Sequence, residues 1–344
     1  MLRTQIAALQ EQLAEVEQAE AATAAEAKPS AMPALADELR SLAVQLLQQH
    51  GVPGCAVGVS VRGQPPIAFG CGKTNLRAPR AADADTLFQI GSNTKTFTAL
   101  AALILSDRGL LELDAPVQRY CASFALPEPA DAAAITVRML LNHTASWDGD
   151  VLLTSAAAGG RNDSALADLP AQMRTIAEPL TEPGTVHHYN NTGFSLLGSV
   201  LEAAAGLPYE QIIEDEIFGP LGLSQSYFFP EDALTRCVAA GHAEGQVKDG
   251  WLLPRSSFPA GAICSSVRDL LRYGEFWLGD GTPLLSPAAF AAMQTTTVGT
   301  DRSELYNAEC TVGLGWFLSE IGGRRVLFHG GVTNGQVASL AVFP

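Results

Sequence analysis

A serine and a lysine three residues apart stand directly before an apolar helical segment. The run Gly91-Ser92-Asn93-Thr94-Lys95 precedes the predicted helix 96–107, and Gly109 follows as a stop signal. At a helix N-terminus, free backbone N–H groups and the macrodipole favour negative charge on the oxygen of Ser92. Lys95 lies on the same helix face, and a lysine desolvated by apolar neighbours can act as the base that activates the hydroxyl.

The same spacing also has a purely structural interpretation. A Ser-x-x-Lys match arises by chance about once in a few hundred residues. In that case Ser92 caps the helix and Lys95 is solvated. From these two residues alone, nucleophile and helix cap are equal alternatives.

A phenol and a carboxamide two residues apart form a second polar group. Tyr189 and Asn191 stand in a loop that leads into a predicted helix. Beside a lysine ammonium, a tyrosine releases its proton more easily and can carry it between nucleophile and leaving group. An asparagine can hold the amine and a substrate carbonyl. An Asn-rich helix cap is the structural alternative.

The run His329-Gly330-Gly331-Val332 ends a predicted strand. Two glycines there would let a substrate backbone approach closely, and the N–H that follows them can point into a site as an oxyanion donor. Taken alone, the run could equally form a turn.

Together, the three segments resemble the motif triplet of the serine β-lactamase and penicillin-binding protein superfamily. The similarity is to its class C-like branch and extends from about residue 35 to the last residue. The segments that carry it, besides the triplet, are residues 88–92, 108–117, 140–144, 220–223, 259–261 and 265–270.

The resemblance implies a role for each residue of the triplet. Ser92 attacks a carbonyl, Lys95 and Tyr189 move its proton, and Asn191 positions the substrate and Lys95. The backbone N–H groups of Ser92 and Val332 form the oxyanion hole, which is expected to contribute most to catalysis.

The residues His329, Gly330 and Gly331 are expected to contact the substrate, and His329 departs from the usual pattern. Penicillin-recognising members carry at this place the lysine of Lys-Thr-Gly, a permanent cation that suits a carboxylate. A histidine is charged only part of the time near neutral pH. The resemblance to His-Gly-Gly esterases and amidase-like relatives implies a serine hydrolase that cleaves a small ester or amide through an acyl-Ser92 intermediate.

Two alternatives remain open. A β-lactamase or D-amino-acid peptidase would use the same residues. A non-catalytic binding or scaffold protein would keep the fold without the chemistry.

Two further residues belong to the segment that follows residue 141. His143 is expected to hydrogen-bond within its loop rather than to react. Ser146 stands where the family pattern has a glycine, so the adjoining loop is expected to differ in shape.

Composition argues against several classes of partner. The chain has 36 acidic and 21 basic side chains, and its net charge of -15 repels nucleic acid and anionic membranes. The longest strongly apolar run, 99–105, is far shorter than the about 20 residues of a transmembrane helix. The first residues open a polar helix rather than a secretory signal. His187 and His188 lack the i, i+4 spacing of a helical metal pair, so we expect no metal site. We also expect a cytoplasmic enzyme that needs no cofactor and acts on a small ester, amide or peptide.

The elements that position these residues are predicted to form an α+β fold. A helix over 34–50 comes first, and residues 84–285 are mostly helical. The predicted strands are residues 56–61, 67–70, 312–319, 324–329 and 337–343. Two strand groups separated by about 200 residues predict one antiparallel sheet built from both chain ends and flanked by helices.

The chain is predicted to comprise an N-terminal extension, residues 1–30, and a hydrolase domain, residues 31–344. Apolar residues at 2, 6, 9, 13 and 16 follow a 4-3-4-3 spacing, which predicts a short coiled-coil-like helix and self-association through residues 2–16. Family members usually continue after the strand 337–343 with a further strand inside the sheet and a C-terminal helix. We therefore expect the domain to be C-terminally incomplete and, with strand backbone groups unpaired, poorly stable alone.

Overall fold

The computed structural model describes residues 31–147, 163–177, 180–250, 253–300 and 309–344. The coiled-coil-like extension predicted for residues 1–30 lies outside the described residues. Within the described ranges, no helix combines the length and the hydropathy needed to span a bilayer.

Helices dominate the middle of the chain, as predicted. They are α1 (Ala31–His50), α2 (Thr94–Asp107), α3 (Pro129–Ala134), α4 (Val137–Leu141), α5 (Ala165–Ile176), α6 (Asn191–Ala205), α7 (Tyr209–Ile213), α8 (Gly219–Leu221), α9 (Pro230–Ala233), α10 (Phe258–Gly261), α11 (Val267–Trp277) and α12 (Pro287–Met293). Short 3-10 helices span Gly91–Asn93, Val117–Arg119 and Arg255–Ser257, and a π-helical segment spans Glu214–Phe218.

Strands lie mainly near the two ends of the described chain, which confirms the α+β class. They are β1 (Gly54–Val59), β2 (Ile67–Gly72), β3 (Phe88–Gln89), β4 (Ser226–Tyr227), β5 (His242–Ala243), β6 (Gln246–Val247), β7 (Cys264–Ser265), β8 (Val298–Thr300), β9 (Cys310–Val312), β10 (Phe317–Ile321), β11 (Arg324–Val332) and β12 (Val337–Val342).

The two strand groups form two sheets rather than one continuous sheet. β1 and β2 make an antiparallel hairpin, and the last five strands pair in the order β12-β11-β10-β9-β8. Within the described residues β12 has only β11 as a hydrogen-bonded neighbour, so it forms an edge of the larger sheet. The hairpin and the larger sheet are connected through α11, which packs on β1, β2 and β12.

The strand predicted over residues 312–319 is in fact two strands, β9 and β10. Between them the N–H of Gly313 donates to the carbonyl of Trp316, and Gly315 adopts a φ of +79°. A methyl group on Gly315 would overlap the side chain of Ala99 in α2, so the chain must turn there and only glycine fits. A three-stranded sheet, β3-β7-β4, was not predicted either, because strands of two residues carry no periodicity.

The helix α2 forms the centre of the core. It begins two residues before its predicted start and is followed by Gly109 with a φ of +74°, as the stop signal predicted. Every residue from Thr94 to Leu105 is buried. Because α6 and α10 pack directly against it, the segments near Tyr189 and Ala260 are brought to its N-terminal end.

A buried ion cluster joins α10 to the helical layer. Arg255 is 4% exposed, and its Nε lies 2.7 Å from Oε1 of Glu210 while its NH2 lies 2.6 Å from Oε1 of Glu202. Glu202 belongs to α6 and Glu210 to α7. The cluster therefore fixes the turn that leads into α10 against both helices.

Removing the cation should strongly destabilise the fold, since it leaves two carboxylates in a buried place. We expect Arg255→Met to lower the free energy of unfolding by about 3–5 kcal/mol. Arg119→Met is the matched control, because Arg119 and Glu112 pair at 54% and 62% exposure, where water screens the pair and its loss should leave the unfolding free energy almost unchanged. Urea denaturation measures both, and equal losses would contradict the assignment.

Candidate active site

Ser92 lies in a tight turn immediately before α2. The turn is the 3-10 helix Gly91–Asn93, and the buried side chain of Asn93 donates to the carbonyl of Ile90 at 2.8 Å. The N–H of Ile90 in turn donates to the carbonyl of Ile263 at 3.0 Å. These bonds hold Ser92 half-exposed at the start of the buried helix.

Lys95 is fully buried, which rules out the solvated lysine of the structural alternative. Its Nζ lies 3.0 Å from Oγ of Ser92 and donates to the carbonyl of Ala260 at 2.7 Å. Burial disfavours the charged form of an amine. The arrangement therefore suits proton transfer between Ser92 and Lys95.

The ring of Tyr189 lies close to the same amine. Nζ of Lys95 lies 5.0 Å from the centre of its ring. The ring also lies 4.5 Å from that of His143 and 6.2 Å from that of Phe317, measured between centroids. The structure thus brings Tyr189 close to Ser92 and Lys95, although Tyr189 follows Ser92 by 97 residues in the chain.

The two asparagines after Tyr189 have different positions. Asn190 is buried and caps α6, because its Oδ1 accepts the N–H of Gly193 at 2.6 Å and its Nδ2 donates to the carbonyl of Trp147 at 2.8 Å. The helix-cap alternative is thus correct for Asn190. Asn191 is the first residue of α6 and is half-buried, and its contact with substrate and Lys95 stays a prediction.

His329 lies in the wall of the site on β11. Its ring is 2% exposed and lies 6.2 Å from the ring of Tyr189 and 5.3 Å from that of Phe317. Its Nδ1 lies 2.7 Å from the carbonyl oxygen of Gly330. The imidazole is therefore packed among aromatic rings, and its contact with substrate stays a prediction, as does that of Gly330 and Gly331.

The two predicted oxyanion donors lie next to each other. A methyl group built on Gly91 would lie 2.7 Å from the amide nitrogen of Val332, and one built on Gly331 would lie 2.8 Å from that of Ser92. The β11 backbone therefore runs directly alongside the turn that holds Ser92. The oxyanion role of these two amides stays a prediction.

Three groups of the site were not identified from the sequence. The carbonyl of Ala260 binds Lys95, although residues 259–261 were noted as part of the resemblance. Phe317 is 3% exposed and packs on Tyr189 and His329. The ring of His143 packs on Tyr189 as well. A backbone carbonyl and a single aromatic residue have no spacing signal that could have revealed them.

Ser146 has a left-handed backbone conformation, which glycine adopts more readily than serine. Ser146 has a φ of +70° and is 3% exposed. Its Oγ accepts the N–H of Thr181 at 2.8 Å and lies 2.5 Å from the hydroxyl of Thr181. These hydrogen bonds hold the serine in the left-handed conformation, and the expected difference in loop shape stays a prediction.

The described residues contain no group of three or more His, Cys, Asp or Glu side chains that could hold a metal ion. All six cysteines are free thiols, and four of them are buried.

Comparison with known proteins gives matches over most of the chain. A family model described as Beta-lactamase matches residues 39–344. Penicillin-binding protein 4 of Amycolatopsis lactamdurans is 32% identical over 310 residues, which cover 87% of this chain and 80% of that protein.

Solved structures with the same fold are also found. The octameric penicillin-binding protein homologue from Pyrococcus abyssi superposes with a TM-score of 0.77 at 26% identity, covering 90% of this chain and 70% of that one. SurE superposes with a TM-score of 0.75 at 26% identity, covering 91% and 70%, and a structure of SurE with D-Leu superposes with 0.71.

Adding a side chain at Gly331 should disable Ser92. The new Cβ of Gly331→Ala would overlap the carbonyl of Ile90 and push the turn away from β11. We expect labelling of Ser92 by a fluorophosphonate to slow by about 100-fold or more, the size of a lost oxyanion donor. Gly299→Ala on β8 is the control, since its Cβ meets nothing within 4 Å. Normal labelling of a folded Gly331→Ala protein would contradict this geometry.

Two substitutions at Ser146 separate strain from hydrogen bonding. Ser146→Ala keeps the left-handed backbone and loses the bonds to Thr181, so the free energy of unfolding should fall by about 1–3 kcal/mol. Ser146→Gly loses the same bonds but relieves about 1 kcal/mol of backbone strain. Thermal or urea unfolding should rank the glycine variant as the more stable, and the reverse order would show that strain is unimportant there.

Proposed function

The chain belongs to the beta-lactamase family, and from that membership we propose that it is a cofactor-independent serine hydrolase that opens a small ester or amide through an acyl-Ser92 intermediate. One observation carries the proposal. The Nζ of a fully buried lysine lies 3.0 Å from the hydroxyl oxygen of Ser92. A capping serine needs no such partner, whereas a nucleophilic serine needs a base within hydrogen-bond reach.

In the acylation step, Lys95 takes the proton of Ser92 as Oγ attacks the substrate carbonyl carbon. One N–H of the amine is held by the carbonyl of Ala260, which orients the nitrogen toward Ser92. The N–H groups of Ser92 and Val332 stabilise the oxyanion. The C–O or C–N bond then breaks, and the proton reaches the leaving group through Tyr189.

In the deacylation step, water attacks the acyl-Ser92 carbonyl and the acid is released. The base that activates this water must stand near the ester. Lys95 can accept the proton of this water, directly or through the hydroxyl of Tyr189, because its amine is neutral again once the leaving group has been protonated and lies 3.0 Å from Oγ of Ser92.

Charge favours an uncharged substrate. His329 occupies the place of a permanent cation, and it is packed among the rings of Tyr189 and Phe317 rather than exposed. The net charge of -15 adds a field that repels anions. A neutral ester or amide therefore fits the site better than a carboxylate-bearing β-lactam.

The enzymatic alternative is a β-lactamase or D-amino-acid peptidase. It is favoured by the relatives, because one is a penicillin-binding protein and another, SurE, has a structure with D-Leu.

Residues 2–16, outside the described residues, remain our candidate for self-association, and the Pyrococcus abyssi homologue is octameric.

A substrate panel with a Ser92 variant tests the proposal. Intact-protein mass spectrometry after fluorophosphonate treatment should show one adduct that Ser92→Ala abolishes and that the exposed-site control Ser41→Ala retains. A short-chain aryl ester should be turned over, with a loss of about 10⁴-fold or more in Ser92→Ala. The same protein should leave a chromogenic cephalosporin and a D-amino-acid amide almost untouched.

Each other outcome selects an alternative. Cleavage of the cephalosporin or the D-amino-acid amide at a higher kcat/KM than the ester would favour the penicillin-recognising interpretation. Absence of any adduct in well-folded protein would favour the non-catalytic scaffold.

A further inference from the structure

His143 lies in an unusual backbone conformation directly after α4. Its φ is +60°, in the left-handed region that residues other than glycine rarely adopt, and its side chain is 2% exposed. Such a conformation costs about 1–3 kcal/mol and persists only where surrounding contacts impose it. The contacts of His143 therefore indicate what the conformation achieves.

Those contacts hold both neighbours of Tyr189. The carbonyl oxygen of His143 accepts the N–H of His188 at 2.8 Å, and its Nδ1 accepts the N–H of Asn190 at 2.9 Å. These two hydrogen bonds reach beyond the loop of His143, since both partners lie more than 40 residues further along the chain, and further hydrogen bonding within the loop stays a prediction. Because a backbone N–H can only donate, Nδ1 carries no proton.

The ring of His143 packs against the phenol itself. Its centroid lies 4.5 Å from that of Tyr189 with 31° between the planes, and 5.0 Å from that of Phe194. The ring of His187 stands edge-on to the ring of His143, with 5.7 Å between their centroids. One residue thus fixes the backbone on each side of Tyr189 and one face of its ring.

We propose that His143 is a positioning residue that aims the hydroxyl of Tyr189 for proton delivery to the leaving group. The inference rests on the proposed function, in which Tyr189 passes on the proton that Ser92 gave to Lys95. In this role His143 acts through Tyr189 and not on the reacting atoms. Its left-handed backbone is the arrangement that lets one residue reach His188, Asn190 and the phenol ring together.

Leaving groups of different basicity separate this role from a structural one. An aryl oxide leaves as an anion and needs little protonation, whereas an alkoxide or amine must receive a proton as its bond breaks. A misplaced Tyr189 should therefore slow alkyl esters and amides much more than p-nitrophenyl esters. General damage to the site would slow all of these substrates alike.

Two substitutions separate the contacts of His143. His143→Asn keeps a δ-position acceptor and tolerates a positive φ, but loses the ring. His143→Phe keeps the ring and loses the acceptor. We expect His143→Phe to lose about 10–100-fold in kcat/KM on an alkyl ester and only about threefold on its p-nitrophenyl counterpart, a part of what a general acid contributes. His143→Asn should retain more alkyl-ester activity than His143→Phe.

A double-mutant cycle with Tyr189→Phe completes the test. Its readout is the ratio of two rates measured on the same protein sample, so a smaller folded fraction in one variant does not change it. In the Tyr189→Phe background, His143→Asn should not change the ratio of alkyl-ester to aryl-ester rates any further. Equal losses on both esters, or an unchanged ratio in both His143 variants, would overturn the proposal. Wild-type protein that hydrolyses neither ester would instead contradict the proposed function itself.

Discussion

Two backbone segments from distant parts of the chain approach each other so closely around Ser92 that a side chain on either one would collide with the other. Gly91 belongs to the turn before α2, and Gly331 belongs to β11. The approach places the amide nitrogen of Val332 against Gly91 and that of Ser92 against Gly331. The sheet, the central helix and Ser92 are therefore coupled, since any shift of β11 would move the Val332 amide relative to the turn that holds Ser92.

The burial of Lys95 depends on a second chain of contacts. Its amine is held by the carbonyl of Ala260 in α10. The turn into α10 is fixed by Arg255, whose two carboxylate partners lie on α6 and α7. The buried ion cluster thus helps to hold in place the carbonyl that binds Lys95, in addition to stabilising the packing of α6 and α7.

Much of the site could be predicted because its groups stand in short motifs with fixed spacing. Ser92 and Lys95 share one helical turn, and the glycine pair after His329 lies on a single strand, so local geometry decides their relation. The carbonyl of Ala260 is different. It lies 165 residues from Lys95, and every residue type carries a carbonyl, so only the packed helices show that it binds the amine.

The fold was predictable to a similar degree and for similar reasons. Alternation identified the hairpin β1–β2 and the strand β11, and the apolar run with its glycine stop identified α2. The break between β9 and β10 arises from the contact of Gly315 with α2. The hairpin β1–β2 and the five-stranded sheet are separate because no strand of one pairs with a strand of the other among the described residues. Both are long-range effects, and periodicity reports only local ones.

The loop 143–146 shows how strain in one segment can hold another segment in place. His143 and Ser146 both have positive φ within four residues, at a cost of about 1–2 kcal/mol each. Hydrogen bonds to the segment 180–190 offset this cost. They are made by backbone carbonyls of His143 and Ser146 and by the side chains of both residues. Since that segment ends in Tyr189 and the cap of α6, a relaxed loop would release the phenol. We therefore interpret the strained backbone of His143 and Ser146 as part of what keeps Tyr189 beside Lys95.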